Sequence, residues 1–205
     1  MYNNAMTITE IKKIGKTNRY KIFVDEEFYA VLLDEDIIKN NLKIGLEVNE
    51  KTLKEICFHG QKRVALDQAM KLLGTYSKTK KELRLYLKNK GYTSEVQDFV
   101  CERLEEYKCL NDETYADIYI KANSSKKGKR LIAYELKQKG ICQHIISERL
   151  ENVEDCAKMI AVKYMRGKIL DEKNKQKLYR YLSSKGFDYE SIFDAMNEIF
   201  MEEDF

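Results

Sequence analysis

The chain has 205 residues, of which 35% are charged and 43% hydrophobic. This balance supports a packed core and is too polar for an integral membrane protein, and no run approaches the roughly 18 apolar residues of a membrane-spanning helix. The first ten residues lack the basic and then apolar pattern of a signal peptide, and the five cysteines are scattered and odd in number. We therefore expect a reduced, cytoplasmic protein that does not contact a membrane.

Basic residues are concentrated in the middle of the chain, although the net charge is only +3. Residues 62–110 carry 11 basic and 7 acidic side chains and residues 111–150 carry 8 and 5, whereas residues 1–61 carry 9 and 10 and residues 151–205 carry 9 and 12. A basic middle favours a polyanion or an acidic protein surface as partner. A solvated helical face also collects lysines, so the pattern by itself leaves both interpretations open.

The N-terminal 61 residues are predicted to form a small strand-rich extension. Two segments rich in aromatic and β-branched residues, Tyr20–Val24 and Phe28–Leu33, flank a short acidic connection, which is the pattern of a β-hairpin. A strand near Thr7–Lys13 would complete a three-stranded sheet. Because so small a sheet is marginal alone, we expect it to pack on the helices that follow, which are predicted at Asp34–Asn40 and Asn49–Phe58.

A short motif occurs three times beyond residue 62. In each copy a leucine lies four residues before a glycine, a lysine directly before it and a large apolar residue directly after it; the copies are Tyr86–Tyr92, Glu135–Ile141 and Tyr181–Phe187. The three glycines are 49 and then 46 residues apart, at Gly91, Gly140 and Gly186. This nearly constant spacing indicates a tandem repeat.

The motif predicts a helix that ends in a tight turn. An aliphatic residue eight positions before each glycine forms one apolar stripe with the leucine four positions before it, as Leu83 does with Leu87. The glycine takes the left-handed conformation that ends a helix, and the apolar residue after it packs back on the last turn. Each repeat also has a helix after the motif and one before it; the preceding helices are predicted at residues 62–73, 112–123 and 155–166.

We therefore predict a mainly α fold with three tandem three-helix repeats at residues 62–110, 111–153 and 154–205. They follow the α+β extension of residues 1–61. A unit of only about 45 residues buries little apolar surface alone, so neighbouring repeats are expected to stack into an elongated, curved body.

Two segments around the middle repeat resemble the signature of the RecX family. Asn111–Ile120 has an Asn-Asp-x-x-aromatic-Ala opening, and Lys127–Ile141 is a basic-Gly-basic-basic helix that ends in Glu-Leu-x-x-Lys-Gly-Ile. The resemblance covers nearly the whole chain. It implies a non-enzymatic monomer without a cofactor, which binds in the groove of the RecA–single-stranded DNA filament and inhibits its ATPase and strand exchange. Such a protein acts in homologous recombination, DNA repair and the SOS response, and binds naked single-stranded DNA weakly.

Two basic clusters are the candidate contacts with the filament and its DNA. In the stronger cluster Lys126 and Arg130 would share a helical face opposite the apolar stripe; its members are Lys126, Lys127, Lys129, Arg130, Lys137 and Lys139. The weaker cluster lies in the first repeat, where the family commonly has an arginine; its members are Lys78, Lys80, Lys81 and Arg84. Binding through either cluster would weaken with salt because the contacts are ionic.

Other patterns leave alternatives open. Tyrosines on the repeat helices could stack bases, but helical spacing favours half-buried positions for most of them: Tyr86, Tyr115, Tyr119, Tyr134, Tyr179 and Tyr181. Two Cys-x-His pairs, at Cys57 and Cys142, fit no common zinc spacing, and neither a metal site nor a catalytic arrangement is predicted. Because three-helix units with a glycine turn also resemble helix-turn-helix modules, a sequence-specific DNA-binding regulator is the alternative function, and a scaffold without nucleic acid is another.

Overall fold

The computed structural model describes residues 5–201, in which it has four strands and ten helices. The strands are β1 (Ala5–Lys13), β2 (Arg19–Val24), β3 (Glu27–Leu33) and β4 (Glu47–Asn49). The helices are α1 (Asp34–Lys39), α2 (Glu50–Thr75), α3 (Lys80–Asn89), α4 (Ser94–Glu106), α5 (Asp112–Asn123), α6 (Lys129–Gln138), α7 (Gln143–Glu151), α8 (Ala157–Met165), α9 (Glu172–Ser184) and α10 (Tyr189–Met201). The chain divides into two compact units, the first ending at Asn111 and the second beginning at Asp112. No described helix combines the length and apolarity that a membrane crossing requires.

The N-terminal sheet is antiparallel with the strand order β3-β2-β1-β4. The predicted hairpin is confirmed, and its two-residue turn has positive φ at both Asp25 (48°) and Glu26 (70°), the backbone of a type I′ turn. The expected number of three strands was wrong, because β4 pairs with β1 and places Val48 opposite Met6. A three-residue strand with one buried side chain has no alternation that a sequence pattern could detect.

The helix α2 joins the extension to the first three-helix domain. Separate helices were predicted at residues 49–58 and 62–73, but α2 runs from Glu50 to Thr75 without a break. Gly60 does not end it; the missing side chain leaves room for the Asp36 carboxyl group of α1. Residues early in α2 pack in the core of the sheet, and Ala65 and Ala69 pack in the core of the first repeat. Position 61 therefore lies inside a helix that both parts share.

Each repeat consists of three helices around its own core, as predicted. The middle helices α3, α6 and α9 bury the expected apolar stripes completely; these side chains are Leu83, Leu87, Ile132, Leu136, Leu178 and Leu182. Glycine follows each middle helix with φ near +85°, and the next residue donates its N–H to the carbonyl of the stripe leucine, as Ile141 does to Leu136 at 3.1 Å. These two features define the Schellman motif and confirm the predicted helix ends.

In the first unit the sheet packs against the end of α3 through main-chain groups. Val31 donates its N–H to the Gly91 carbonyl at 3.1 Å, and a Cβ atom at Gly91 would collide with the Val31 side chain. The buried Gln61 of α2 donates to the Val31 carbonyl and accepts from the Thr93 N–H at 3.1 Å. One glutamine thus satisfies backbone groups of the sheet and of the first domain.

Candidate functional site

The stronger basic cluster does not form the helical face that was predicted. The helix α6 begins at Lys129 with Gly128 as its N-cap, so Lys126 and Lys127 lie in the preceding turn. Lys126 and Arg130 are therefore not one helical turn apart on a common face, and that expectation was wrong. Both side chains are nevertheless exposed, and they flank the same end of α6.

Lys127 belongs to an internal ion pair. Its Nζ lies 2.7 Å and 2.8 Å from the two carboxylate oxygens of Glu135, and the Tyr119 hydroxyl donates to the same carboxylate at 2.8 Å. Burial raises the pKa of Glu135, but the hydrogen bonds from Lys127 and Tyr119 outweigh it and hold this pKa below its ordinary value. The hydrogen bond between Lys127 and Glu135 also raises the pKa of Lys127. Lys127 thus stabilises the second repeat, and removing it would leave Glu135 half-buried without its cation.

Main-chain hydrogen bonds place the start of α6 against the end of α9. Gly128 donates its N–H to the Lys185 carbonyl at 2.9 Å, and Arg130 donates its N–H to the Gly186 carbonyl at 3.2 Å. These bonds satisfy amide groups that a helix N-terminus leaves without partners. A Cβ atom at Gly128 or at Gly186 would collide with the opposite backbone, because each glycine faces the other chain segment directly. The joint places Arg130 in the lining of a groove.

The groove between α6 and α9 has a volume of about 450 Å³ and is lined by exposed aromatic side chains. Tyr134 of α6 is 60% exposed, Tyr179 of α9 is 42% exposed, and Tyr189 at the start of α10 is 69% exposed. The expectation that most of the six repeat tyrosines are half-buried holds, because Tyr86, Tyr115, Tyr119 and Tyr181 are so placed and only Tyr134 and Tyr179 are exposed. The Tyr181 ring stacks on that of Tyr164 with centroids 4.4 Å apart. Exposed aromatic rings beside an arginine can stack unpaired bases or anchor a protein partner.

Arg130 is the one charged residue among the described residues that line this groove. Arg130 takes part in none of the ion pairs found among residues 5–201. The carboxylate near it, Asp188, accepts the Ser191 N–H at 2.8 Å. That hydrogen bond is the main cause of a lowered Asp188 pKa, and the positive charges of Arg130 and Lys129 contribute to it. Because Asp188 caps α10, the Arg130 guanidinium keeps free donors for an incoming anion.

A second groove adjoins the first on the other side of Tyr179. It has a volume of about 470 Å³, and the charged residues among its lining are Lys175, Arg180 and the acidic Glu172. No sequence pattern had singled out either residue, since one lysine and one arginine among the many of α9 carry no distinctive spacing. Tyr179 lines both grooves and joins them into one surface of aromatic and basic side chains.

The remaining candidates of the second repeat lie apart from that surface. Lys129 donates to the Glu151 carbonyl at 3.3 Å, which ties it to the end of α7. Lys137 is exposed near the other end of α6, about 12 Å along the helix axis from Lys129. Lys139 lies over the rings of Tyr115 and Tyr119, with its Nζ 5.5 Å and 5.8 Å from their centroids. The six residues of the predicted cluster therefore do not form one patch.

The weaker cluster, in the first repeat, is largely engaged in local interactions. Lys78 lies over the Tyr76 ring, Lys80 pairs with Glu105 at 2.8 Å, and Arg84 pairs with Asp98. Lys81 is exposed in the first turn of α3, next to the capping box that Thr79 and Glu82 form. These partners neutralise much of the charge that the sequence had suggested for this face.

The described residues contain no group of three or more His, Cys, Asp or Glu side chains that could hold a metal ion. Cys57 and Cys142, the cysteines of the two Cys-x-His pairs, lie in different units. All five cysteines are free, and burial raises the pKa of the Cys57 thiol to about 12, which keeps it protonated and unreactive.

Comparison with known proteins decides the family. Models of the first, second and third three-helix domains of RecX match residues 65–104, 111–150 and 152–196. The regulatory protein RecX of Clostridium beijerinckii is 36% identical, with 95% of each chain covered. That of Clostridium tetani is 31% identical, with 96% of this chain and 94% of the relative covered. The chain belongs to the RecX family.

The RecX family is one of non-enzymatic regulatory proteins, and solved RecX structures share this fold. A crystal structure of regulatory protein RecX covers 97% of this chain and 100% of its own, with a TM-score of 0.60 and 23% identity. RecX from Lactobacillus salivarius covers 68% of this chain and 96% of its own, with a TM-score of 0.62 and 24% identity. In terms of the RecX domains, the aromatic groove lies between the second and the third.

Proposed function

We propose that this RecX-family chain is a negative regulator of the RecA recombinase. It binds in the groove of the RecA–single-stranded DNA filament and inhibits ATP hydrolysis and strand exchange, and so modulates recombination and DNA repair in the cytoplasm. The observation that carries the proposal is the RecX-family match along almost the full chain, whose domains present one exposed aromatic and basic surface.

The aromatic groove is the contact that we propose for the filament. A filament surface offers both DNA phosphates and protein side chains, and Arg130 with Tyr134 and Tyr179 can engage either kind of group. Through this contact the chain would lie in the groove of the filament, where it would occupy space that a second DNA strand needs. It would also hinder the RecA subunit motions that are coupled to ATP turnover. Lys126 and Lys137 add exposed positive charge near the two ends of α6.

A sequence-specific DNA-binding regulator makes a different demand on the molecule. It needs a recognition helix whose side chains reach base edges in the major groove. In the second repeat, α7 has only nine residues and buries Ile146 and Leu150 in its own core. Selection of one duplex sequence over others by the purified protein would favour that alternative over the RecA proposal.

The test is a titration of single-stranded-DNA-dependent ATP hydrolysis by RecA with the full chain. We expect inhibition that weakens as salt is added, because part of the contact is ionic. The double variant Arg130→Ala/Tyr134→Ala should inhibit at least about tenfold less well, since truncating a central arginine and tyrosine together commonly costs more than 1.4 kcal/mol of binding energy. Lys127 is kept, because its loss would weaken the fold instead of the contact.

The matched control is Ile118→Ala/Lys121→Ala in α5 of the same domain. It also removes one exposed apolar side chain and one cation, at positions outside the groove. This control should inhibit like the unchanged protein. Equal inhibition by both double variants would move the contact away from the groove, and no effect of the unchanged protein on RecA would refute the proposed function.

A further inference from the structure

A further groove, distinct from the two grooves beside Tyr179, lies in the first unit where the sheet meets the end of α3. Its volume is about 340 Å³. Four charged side chains are found among the described residues that line it, and all four are basic. They are Arg19 and Lys21 of β2, and Lys88 and Lys90 at the end of α3. None of the candidate residues of the sequence analysis is among them. The groove is therefore a separate concentration of positive charge, formed jointly by the N-terminal extension and the first repeat.

The strand register adds a fifth cation beside this groove. Lys12 of β1 lies directly opposite Lys21 of β2, and both are exposed. Residues directly opposite in an antiparallel pair share a face of the sheet, and like charges in such a pair destabilise it. Glu10 is on the same face of β1 but lies opposite Phe23. The repulsion between Lys12 and Lys21 would be relieved by an anion bound between them.

The other groups of the groove are held in place or stand free. Arg19 donates to the Lys90 carbonyl at 2.9 Å, and its guanidinium lies 5.9 Å from the Tyr92 ring centre, so it is fixed in position with donors to spare. Lys21 and Lys88 take part in none of the ion pairs among residues 5–201. Phe28 borders the groove with half of its side chain exposed and its ring edge-on to Phe23.

We propose that this groove binds the phosphodiester backbone of single-stranded DNA, with Phe28 stacking on one unpaired base. The basic side chains match a chain of phosphates, and an exposed aromatic ring beside them is the second element of single-strand binding sites. An acidic protein surface would pair with the basic side chains of the groove but would leave the Phe28 ring without a stacking partner. The inference deepens the proposed function by placing the single strand where the extension meets the first repeat. Its test contains no RecA, so the inference and the proposed function can fail separately.

The test measures fluorescence anisotropy of a labelled oligothymidylate of about 20 nucleotides with the full chain, from about 50 to about 200 mM salt. Lys21→Gln/Lys88→Gln should weaken binding about tenfold near 100 mM salt and reduce the slope of log K against log salt by about 1.4, since each single-strand phosphate contact contributes about 0.7. The control is Lys43→Gln/Lys51→Gln, which removes the same charge from exposed positions outside the groove. It should leave affinity and slope nearly unchanged.

Two outcomes of that comparison would overturn the groove: equal weakening by both pairs, or no weakening by the Lys21/Lys88 pair. A third variant, Phe28→Leu, separates a nucleic acid from an acidic partner. It should bind oligothymidylate about fivefold less well, yet bind an abasic oligonucleotide of the same length as well as the unchanged protein does. Phe28→Leu could instead bind oligothymidylate with unchanged affinity, or lose the same affinity for both oligonucleotides. Either result would show that Phe28 does not stack on a base and would favour an acidic protein surface as the occupant of the groove.

Discussion

Replacing Gly186 by alanine should disrupt the joint between α6 and α9, and Gly167 provides the matched comparison. Both glycines follow a helix in the third repeat and have positive φ, +83° and +73°. An alanine in this conformation costs about 1–2 kcal/mol, which the smaller entropy of the unfolded chain offsets by about 0.4–1 kcal/mol. Gly167→Ala should therefore lower the free energy of unfolding by about 1 kcal/mol, because nothing lies within 4 Å of the added Cβ.

Gly186→Ala should cost about 2 kcal/mol more. Its Cβ would collide with Leu131, including the backbone nitrogen at 2.5 Å, so the start of α6 would have to move. That movement stretches the bonds from Gly128 to Lys185 and from Arg130 to Gly186, each worth about 1 kcal/mol, and overpacking of this kind typically costs about 1–3 kcal/mol. Urea unfolding of both variants measures the difference. Equal destabilisation by the two alanines would refute the reasoning that the joint depends on close approach of the two backbones.

Three further predictions concern stability. Gly140→Val should destabilise the chain by about 1 kcal/mol or more in urea unfolding, because valine resists the φ of +89° at this helix end, and an unchanged midpoint would contradict this. Glu26→Gly should raise the free energy of unfolding by about 0.5–1 kcal/mol, because glycine adopts the positive φ of the hairpin turn without strain. A lower melting temperature than that of the unchanged protein would argue against a type I′ turn. The pKa of Glu135 is lowered in the folded state, so its carboxylate stabilises the fold only while it is ionised. Glu135→Gln should therefore lower the free energy of unfolding most at pH 7, and the difference from the unchanged protein should shrink as the pH falls below about 4. A difference that does not depend on pH would show that the ion pair with Lys127 is not its source.

The features that were predictable from the sequence depend on residues close together along the chain. The Schellman ends at Gly91, Gly140 and Gly186 involve six consecutive positions, so the motif contained the whole structure. The Lys127–Glu135 pair was missed because its geometry depends on where α6 begins, and the preceding turn has no strong signal. The exposure of Tyr134 was missed for another reason: helical spacing shows that residues share a face, and it does not show whether a neighbouring repeat covers that face.

The joint between the start of α6 and the end of α9 is formed by hydrogen bonds between peptide groups, at two closely approaching glycines. It therefore does not depend on the side chains that would contact a partner. Its hydrogen bonds join Gly128 and Arg130 to Lys185 and Gly186 through main-chain atoms alone. The side chains that line the adjoining groove can therefore be exchanged during evolution without loosening the connection beneath them. Members of such a family could adapt to diverging partners while conserving the relative placement of these two repeats, and natural variation should concentrate at Tyr134 and Tyr179 while the glycines stay invariant.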